Sequence, residues 1–458
     1  MKKSHKLVGR LLLLYVTVTA VKPFTVFALS RPNIVLIVID TLRADHVSAY
    51  GYSRKTTPFI DSLAAGGTLY TRAYAPSSWT IPSVASLFTG YYPFNHGVNH
   101  RLSRSERLVS YNAIPQKFVT LAERFKQAGY KTMGISSTAL LNKEHGYAQG
   151  FDYFSCEDYV DAEETNRMFE KTMGRIKGKV SPFFLWVHYF DPHLNYKLRK
   201  PWINRYFPLA KYLLIDEITF KTQCIVNDPK FSIAGYDSEI NYVDKYIGKF
   251  LKNIPQKNTI VVITSDHGEE FQDHGHWGHS INLYNEAVHI PLIISDLSTP
   301  AGLKRENRPV SLLDLYPTLL SLARIPVPGG LDARSLLPGD ALPGKDRPQR
   351  VIFGEIRKRS YIIESNLEID TQFTIIRGNY KLYRHTAPNR ETLYNLHEDP
   401  GETKDMSMEK PEIKKEMHAI MEDWFKKQKR GPIYPSSKVP FKLNGKLLKE
   451  LKAFGYIQ

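Results

Sequence analysis

Asn33-Ile34-Val35-Leu36-Ile37-Val38-Ile39-Asp40 is a continuous, largely β-branched apolar run, bounded by Pro32 and ended by a carboxylate. A run of that length without alternation suits a strand covered on both faces, as in a largely parallel sheet. Pro182-Phe183-Phe184-Leu185-Trp186-Val187 and Thr259-Ile260-Val261-Val262-Ile263-Thr264 repeat the pattern. Helical spacing lies between them. Phe118 to Gly129 carries Leu121, Ala122 and Phe125, and Ser238 to Leu251 carries Ile240, Val243, Ile247 and Leu251. Strands alternating with helices predict an α/β fold, a large central and mostly parallel sheet flanked by helices. In such sheets ligands bind beyond the carboxyl ends of the strands. The first strand ends at Asp40, the second at His188, and the third runs out into Asp266 and His267. Three strand ends that all deliver Asp or His to one rim argue for chemistry there, although a lone His after a strand is more often structural.

The remainder of the chain sorts by composition. Ile325 to Pro348 is dense in Pro and Gly and marks a loop or domain join. Thr371 to Tyr383 reads as a hairpin turning at Gly378-Asn379. Residues 408–428 read as an amphipathic helix through Ile413, Met417, Met421 and Phe425. The expected organisation is a catalytic domain over 32–345 and a smaller C-terminal α+β subdomain over 346–458. Ahead of both, Lys2, Lys3, Lys6 and Arg10 precede an apolar run from Leu11 to Val21, and Val26-Phe27-Ala28 offers a cleavage site. Residues 1–28 therefore read as a signal peptide, either removed or kept as an anchor. Lys22-Pro23 interrupts the run short of the roughly 20 apolar residues of a membrane span. Either outcome predicts an exported protein, periplasmic or extracellular.

The chain has 458 residues, 42% hydrophobic and 24% charged, enough apolar material for a large core and no case for disorder. A formal charge of +16 favours anionic partners, whether an anionic substrate or an anionic membrane surface. No Lys/Arg block is long enough for a nucleic-acid arm, so nucleic acid is not an expected partner. Cys156 and Cys224 are the only cysteines, which excludes a cysteine zinc site and leaves one bridge open.

Two segments carry the chemistry. In Ser77-Ser78-Trp79-Thr80-Ile81-Pro82-Ser83-Val84-Ala85-Ser86-Leu87-Phe88-Thr89-Gly90, Pro82 is a helix-start signal and Gly90 a stop. Thr80 falls at or just before a helix N-terminus, where N–H groups and the helix dipole favour an anion. A plain N-cap is the commoner use of Thr there. In the second segment, Asp266-His267-Gly268 is followed within a dozen residues by His274, His276 and His279 among Gly and acidic residues. That is the composition of a metal or anion site rather than of a core.

Asn33–Asp40, Thr80–Gly90 and Asp266-His267-Gly268 resemble the hallmark segments of the sulfatase family, a branch of the alkaline phosphatase superfamily. Phe183–His193, Asp314–Leu320, Tyr380-Lys381-Leu382, Glu391–Leu396, Glu398–Glu402 and Leu451–Ile457 resemble further family segments, in order along nearly all of the chain. The resemblance implies an alkaline-phosphatase-like fold and one divalent metal ion (Ca, Mg, Mn or Zn). It makes Asp40, Asp266 and His267 metal ligands. Thr80 becomes a nucleophile that also touches the metal. His188 and His279 hold the substrate anion or protonate the leaving oxygen, with His193 and His276 as further substrate-binding candidates and His274 as a support.

Two positions depart from the family pattern. The family nucleophile is a Cys or Ser oxidised to formylglycine, where this chain has Thr80, and the family Arg is here Val84. A secondary alcohol cannot become the aldehyde hydrate that releases sulfate by hemiacetal collapse. A threonine ester must be resolved by a second displacement at the central atom, which suits phosphorus. The expected activity is hydrolysis of sulfate or phosphate esters, with Thr80 favouring phosphodiester or phosphonate substrates. The alternatives are a phospho-headgroup transferase acting on envelope lipids or polymers, and an inactive binding protein.

Overall fold

The computed structural model describes residues 30–98, 109–175, 182–197, 199, 201–208, 228–299, 302–338, 349–359, 369–386, 388–428 and 438–441. Fourteen strands in it bear on the site: β1 (Asn33–Ile39), β2 (Thr68–Tyr70), β3 (Lys131–Ser136), β4 (Tyr153–Cys156), β5 (Phe183–Tyr189), β6 (Thr259–Ser265), β7 (Glu270–Phe271), β8 (Trp277–Gly278), β9 (Leu292–Asp296), β10 (Lys304–Glu306), β11 (Val351–Arg359), β12 (Ile369–Arg377), β13 (Tyr380–Thr386) and β14 (Asn389–Asn395). The helices of seven residues or more among the described residues are α1 (Pro58–Ala65), α2 (Thr80–Thr89), α3 (Leu121–Gln127), α4 (Ala162–Gly174), α5 (Pro229–Lys252), α6 (Leu315–Leu322) and α7 (Pro411–Lys427).

Eight strands form the central sheet in the order β10-β2-β9-β6-β1-β5-β3-β4. β1 pairs in parallel with β5 and β6, and β5, β3 and β4 continue in parallel, while β9 runs antiparallel to its neighbours β6 and β2. The three quoted apolar runs are thus the three central strands, buried along their whole length because both faces are covered. On one face Leu36, Val38, Phe184, Trp186 and Val262 pack with Val84, Leu87 and Phe88 of α2. On the other, Val35, Ile37, Val187 and Ile263 pack with Ile240, Val243 and Ile247 of α5 and with residues of α1 and α4.

Several sequence boundaries shift. β5 runs on to Tyr189, one residue past the expected end at His188, so His188 lies within the strand. α3 starts at Leu121, because Thr120 and Glu123 close a capping box there. α5 begins at Pro229, nine residues before the periodic stretch, with the Asp228 side chain accepting from Lys230 N–H.

The C-terminal sheet is an antiparallel meander, β11-β12-β13-β14. The expected hairpin is β12–β13, turning at Gly378 with φ of 60°. One face of the meander (Ile375, Leu382, Leu393) packs on Met417 and Met421 of α7. Its other face (Ile352, Ile376, Tyr383, Tyr394) joins the apolar cluster of the central sheet. Alternation along each strand supplies both faces. Residues 31–458 accordingly form one compact unit. The expected boundary at 345/346, the signal peptide over 1–28, Cys224 and the terminal Leu451–Ile457 lie outside the described residues. Among the described residues no helix is long and apolar enough to cross a membrane.

Candidate active site

Strand register builds the rim. Ile39 pairs with Tyr189 on one side and Ser265 on the other, so the residues that follow β1 and β6, Asp40 and Asp266, leave the sheet side by side. His188 pairs with Val38 and continues the Phe184, Trp186 series onto the face that α2 covers. Phe88 of α2 meets Trp186 edge-on at 5.0 Å between ring centroids. Two turns back along the helix, Thr80 reaches the same rim. Trp79 occupies the N-cap position, and Thr80 is the first helical residue. Its hydroxyl is therefore not a cap: Oγ1 lies 3.1 Å from His267 Nε2.

Asp40, Asp266 and His267 each offer a ligand atom, and these atoms lie within 4.8 Å of one another. His267 Nε2 is 3.5 Å from Asp40 Oδ1 and 3.6 Å from Asp266 Oδ2. His188 Nε2 is 3.7 Å from Asp40 Oδ2 and 4.0 Å from Asp266 Oδ2. His267 Nδ1–H donates to Gly268 O at 2.9 Å, which turns the Nε2 lone pair toward the two carboxylates and makes Thr80 the donor in their contact. Both oxygens of Asp40, Oδ2 of Asp266 and Nε2 of His188 are buried without a hydrogen-bond partner among the described residues. Buried acceptors converging without donors are costly unless a cation lies among them. Two carboxylates, an imidazole and a hydroxyl are a donor set that fits a divalent ion.

Electrostatics agree. Burial, and then the charges of Asp266 and Glu269, push Asp40 well above the usual carboxylate range. Burial acts the same way on Asp266, but His267 and His188 outweigh it and hold Asp266 low. A bound cation would favour the ionised form of both.

A second tier surrounds this cluster. The His279 ring packs against His267 with centroids 4.6 Å apart and against His193 at 4.8 Å. Glu269 Oε1 accepts from His279 Nδ1–H at 2.8 Å. Burial lifts Glu269 to about 7 and lowers His193 to about 3, so His193 is neutral at physiological pH. His193 stacks on Phe190 at 4.4 Å. His274 is engaged elsewhere, bonded to Glu286 Oε1 at 2.7 Å and stacked on Tyr284. His276 is exposed, tied to the β7–β8 hairpin by its main-chain N–H to Glu270 Oε1 at 2.9 Å. The structure thus gathers Asp40, Thr80, His188, Asp266 and His267, brings His279 and His193 beside them, and leaves His276 at the surface.

Sequence reasoning passed over three residues here. Thr41, buried beside Asp40, has a hydroxyl without a partner among the described residues and a left-handed φ of 56°. Its N–H donates to Asp266 Oδ1 at 3.3 Å, and its carbonyl accepts from Tyr236 at 2.7 Å. Arg43 is buried and bonded to Asp45, Asp273 and the Glu269 carbonyl. Glu269 directly follows Asp266-His267-Gly268, the one signal that could have singled it out. Val84, one turn from Thr80, is fully buried in the same apolar cluster as Trp186.

The sulfatase family profile matches residues 32–325. The chain belongs to the sulfatase family. A second profile, the C-terminal region of N-sulphoglucosamine sulphohydrolase, matches residues 272–429. A Δ4,5-hexuronate-2-O-sulfatase of Bacteroides thetaiotaomicron is 26% identical, with 88% of this chain and 90% of the relative covered. Human arylsulfatase K is 24% identical, with 88% and 86% covered. Among solved structures, the phosphonate monoester hydrolase of Agrobacterium radiobacter superposes with a TM-score of 0.68 at 20% identity, covering 90% of this chain and all of that one. The fold is alkaline-phosphatase-like, and the protein is a sulfatase-family ester hydrolase.

Proposed function

We propose that this sulfatase-family enzyme is an exported, metal-dependent hydrolase whose preferred substrates are phosphodiesters or phosphonate monoesters, with Thr80 as nucleophile. The observation that carries the reading is the Thr80 hydroxyl, 3.1 Å from His267 Nε2 within a cluster of carboxylate oxygens that have no partner among the described residues. Asp40, Asp266, His267 and Thr80 would hold a divalent cation, which when bound lowers the pKa of a hydroxyl and polarises a non-bridging ester oxygen. Thr80 loses its proton to solvent and attacks phosphorus, forming the Oγ–P bond. The bond to the leaving oxygen breaks, and His279 or His188 supplies the proton that oxygen takes. Water then attacks phosphorus, returns a proton to the same histidine and expels the Thr80 alkoxide.

Thr80 supports phosphorus over sulfur because its ester is resolved only by this second displacement. The named activity of the A. radiobacter neighbour is consistent with that choice. Sulfate-ester hydrolysis is the second reading, favoured by the named activities of the sequence relatives. Export follows from the signal-like residues 1–28, and the basic balance of the chain suits an anionic ester substrate and association with an anionic membrane surface. The test is a parallel assay of aryl sulfate, phosphate monoester, phosphodiester and phosphonate over a panel of divalent ions, with wild type and Thr80→Ala. The expected result is preference for a phosphorus ester and near-total loss in the variant. An aryl sulfate rate that survives Thr80→Ala removes Thr80 from the mechanism.

A further inference from the structure

We infer that Glu269 is a positioning residue: by accepting from Nδ1–H it holds the His279 ring in the orientation that lets Nε2 serve the leaving oxygen. The inference rests on the proton-donor role given to His279 above and adds the group that makes the donor effective.

Glu269 is wholly buried, and each part of it has a task. Oε1 accepts from His279 Nδ1–H at 2.8 Å. Oε2 accepts from Leu194 N–H at 3.1 Å and faces the Tyr196 hydroxyl at 3.5 Å. Its main-chain carbonyl accepts from Arg43 Nη1 at 3.1 Å, and Arg43 is itself fixed by Asp45 and Asp273. The carboxylate therefore cannot swing away from the imidazole. With Nδ1 committed to it, proton exchange with the reacting ester falls to Nε2, on the opposite edge of the ring.

The backbone delivers His279 to that partner. β7 and β8 form a short hairpin with Gly278 opposite Glu270, which returns the chain beside Glu269. Gly278 has φ of 84° and Ser280 φ of 65°, so His279 is flanked by two left-handed residues. Such a conformation on a non-glycine residue persists where its surroundings enforce it, and these are often functional sites. Ser280 N–H donates to Ser78 O at 2.9 Å, two residues before Thr80. One bond thus ties the backbone beside His279 to the nucleophile's segment, and another ties the imidazole to Glu269.

In the first displacement His279 enters as imidazolium, protonated on both nitrogens; the Nε2 proton goes to the leaving oxygen as its bond to the central atom breaks, and the neutral ring that remains keeps its Nδ1–H on Glu269. In the second, the attacking water returns a proton to Nε2 as Thr80 departs. Glu269 matters most where the leaving oxygen needs that proton.

The experiment compares an alkyl ester with a 4-nitrophenyl ester of the same acid, for wild type, Glu269→Gln, His279→Ala and the double variant, all metal-loaded. The expected result for Glu269→Gln is a kcat loss of about 10–100-fold on the alkyl ester and within about threefold on the 4-nitrophenyl ester, with KM little changed. His279→Ala should show the same contrast, and the double variant should lose little more than His279→Ala. Should Glu269→Gln not fold, Glu269→Asp, which shortens the reach to Nδ1, is read by the same ratio. Equal losses on both esters, or losses that multiply in the double variant, overturn the inference. The contrast is measured on whichever acid, phosphorus or sulfur, the wild type turns over. A wrong choice of central atom would therefore appear as a substrate preference and leave the Glu269 result readable.

Discussion

Replacing Asp40 by Asn should raise the stability of the cation-free protein and lower that of the cation-loaded one. Asp40 and Asp266 are both wholly buried, with their candidate ligand atoms no more than 4.8 Å apart. At an effective dielectric of about 20, two unit charges at that distance repel by about 3.5 kcal/mol. Burial first, and then Asp266 and Glu269, raise the Asp40 pKa on folding. The sign follows: a carboxyl raised on folding contributes most below its unfolded value near 4, and that contribution is lost as pH rises through the folded value. Near pH 7.5 the chelated wild type therefore carries the penalty, as repulsion or as a retained proton, and Asp40→Asn removes most of it. For a unit of about 430 residues a kcal/mol moves Tm by about 1–2 °C, so the variant should melt roughly 4–7 °C higher in EDTA. With a divalent ion at about a thousand times its dissociation constant, wild type gains about 4 kcal/mol and the variant little, which reverses the order. Thermal melts of both proteins, with chelator and with a series of divalent ions, read this directly. A variant less stable than wild type in both conditions, or an equal cation shift in the two proteins, would refute the reasoning.

Two further outcomes follow from the packing. His96 is buried, with Ser86 and the Val98 N–H on its two ring nitrogens, and burial holds it at about 3. Below its ordinary 6.5 the unfolded chain takes a proton that the folded protein refuses, so stability is present above 6.5 and falls as pH drops, by about 1.4 kcal/mol per unit. His96→Gln should flatten the decline of the denaturation midpoint between pH 7 and 5 by about 2 kcal/mol, and an unchanged slope counts against it. Gly268→Ala places a Cβ 2.0 Å from Glu286 O and 3.2 Å from Arg43 Cγ, so the backbone beside His267 must move. The expected result is a loss of about 3 kcal/mol or more, with weakened divalent-ion binding by calorimetry. Retention of both would show that the segment yields without disturbing the cluster.

Much of the architecture was legible because its signals are local. Asn33–Ile39, Phe183–Val187 and Thr259–Thr264 are unbroken apolar runs, and only a strand buried on both faces needs such a run. Strand ends then placed Asp40, Asp266 and His267 at one rim without coordinates, since the carboxyl edge of a parallel sheet gathers whatever follows its strands. Pro82 and Gly90 likewise marked the ends of α2, and Gly90 does take the left-handed conformation, with φ of 77°. Where local signals faded the reading slipped: α5 starts nine residues early because Asp228 and Pro229 begin a helix whose first turns lack the later periodicity.

Composition and order along the chain therefore fixed an α/β sheet, the rim that gathers Asp40, Asp266 and His267, and the family of the protein. Which polar atoms would be left without partners was decided by the fold alone, because that depends on the distance and direction of side chains from separate strands. A sequence records that Thr80 begins a helix, but only packing of α2 on β5 turns its hydroxyl to His267 instead of to its own N-terminal amides. It records that Glu269 follows Asp266-His267-Gly268, but only the β7–β8 hairpin brings His279 back to meet it. Hydrogen bonds and ion sites act over about 3 Å, whereas sequence patterns specify elements, and the step between the two is made by tertiary packing.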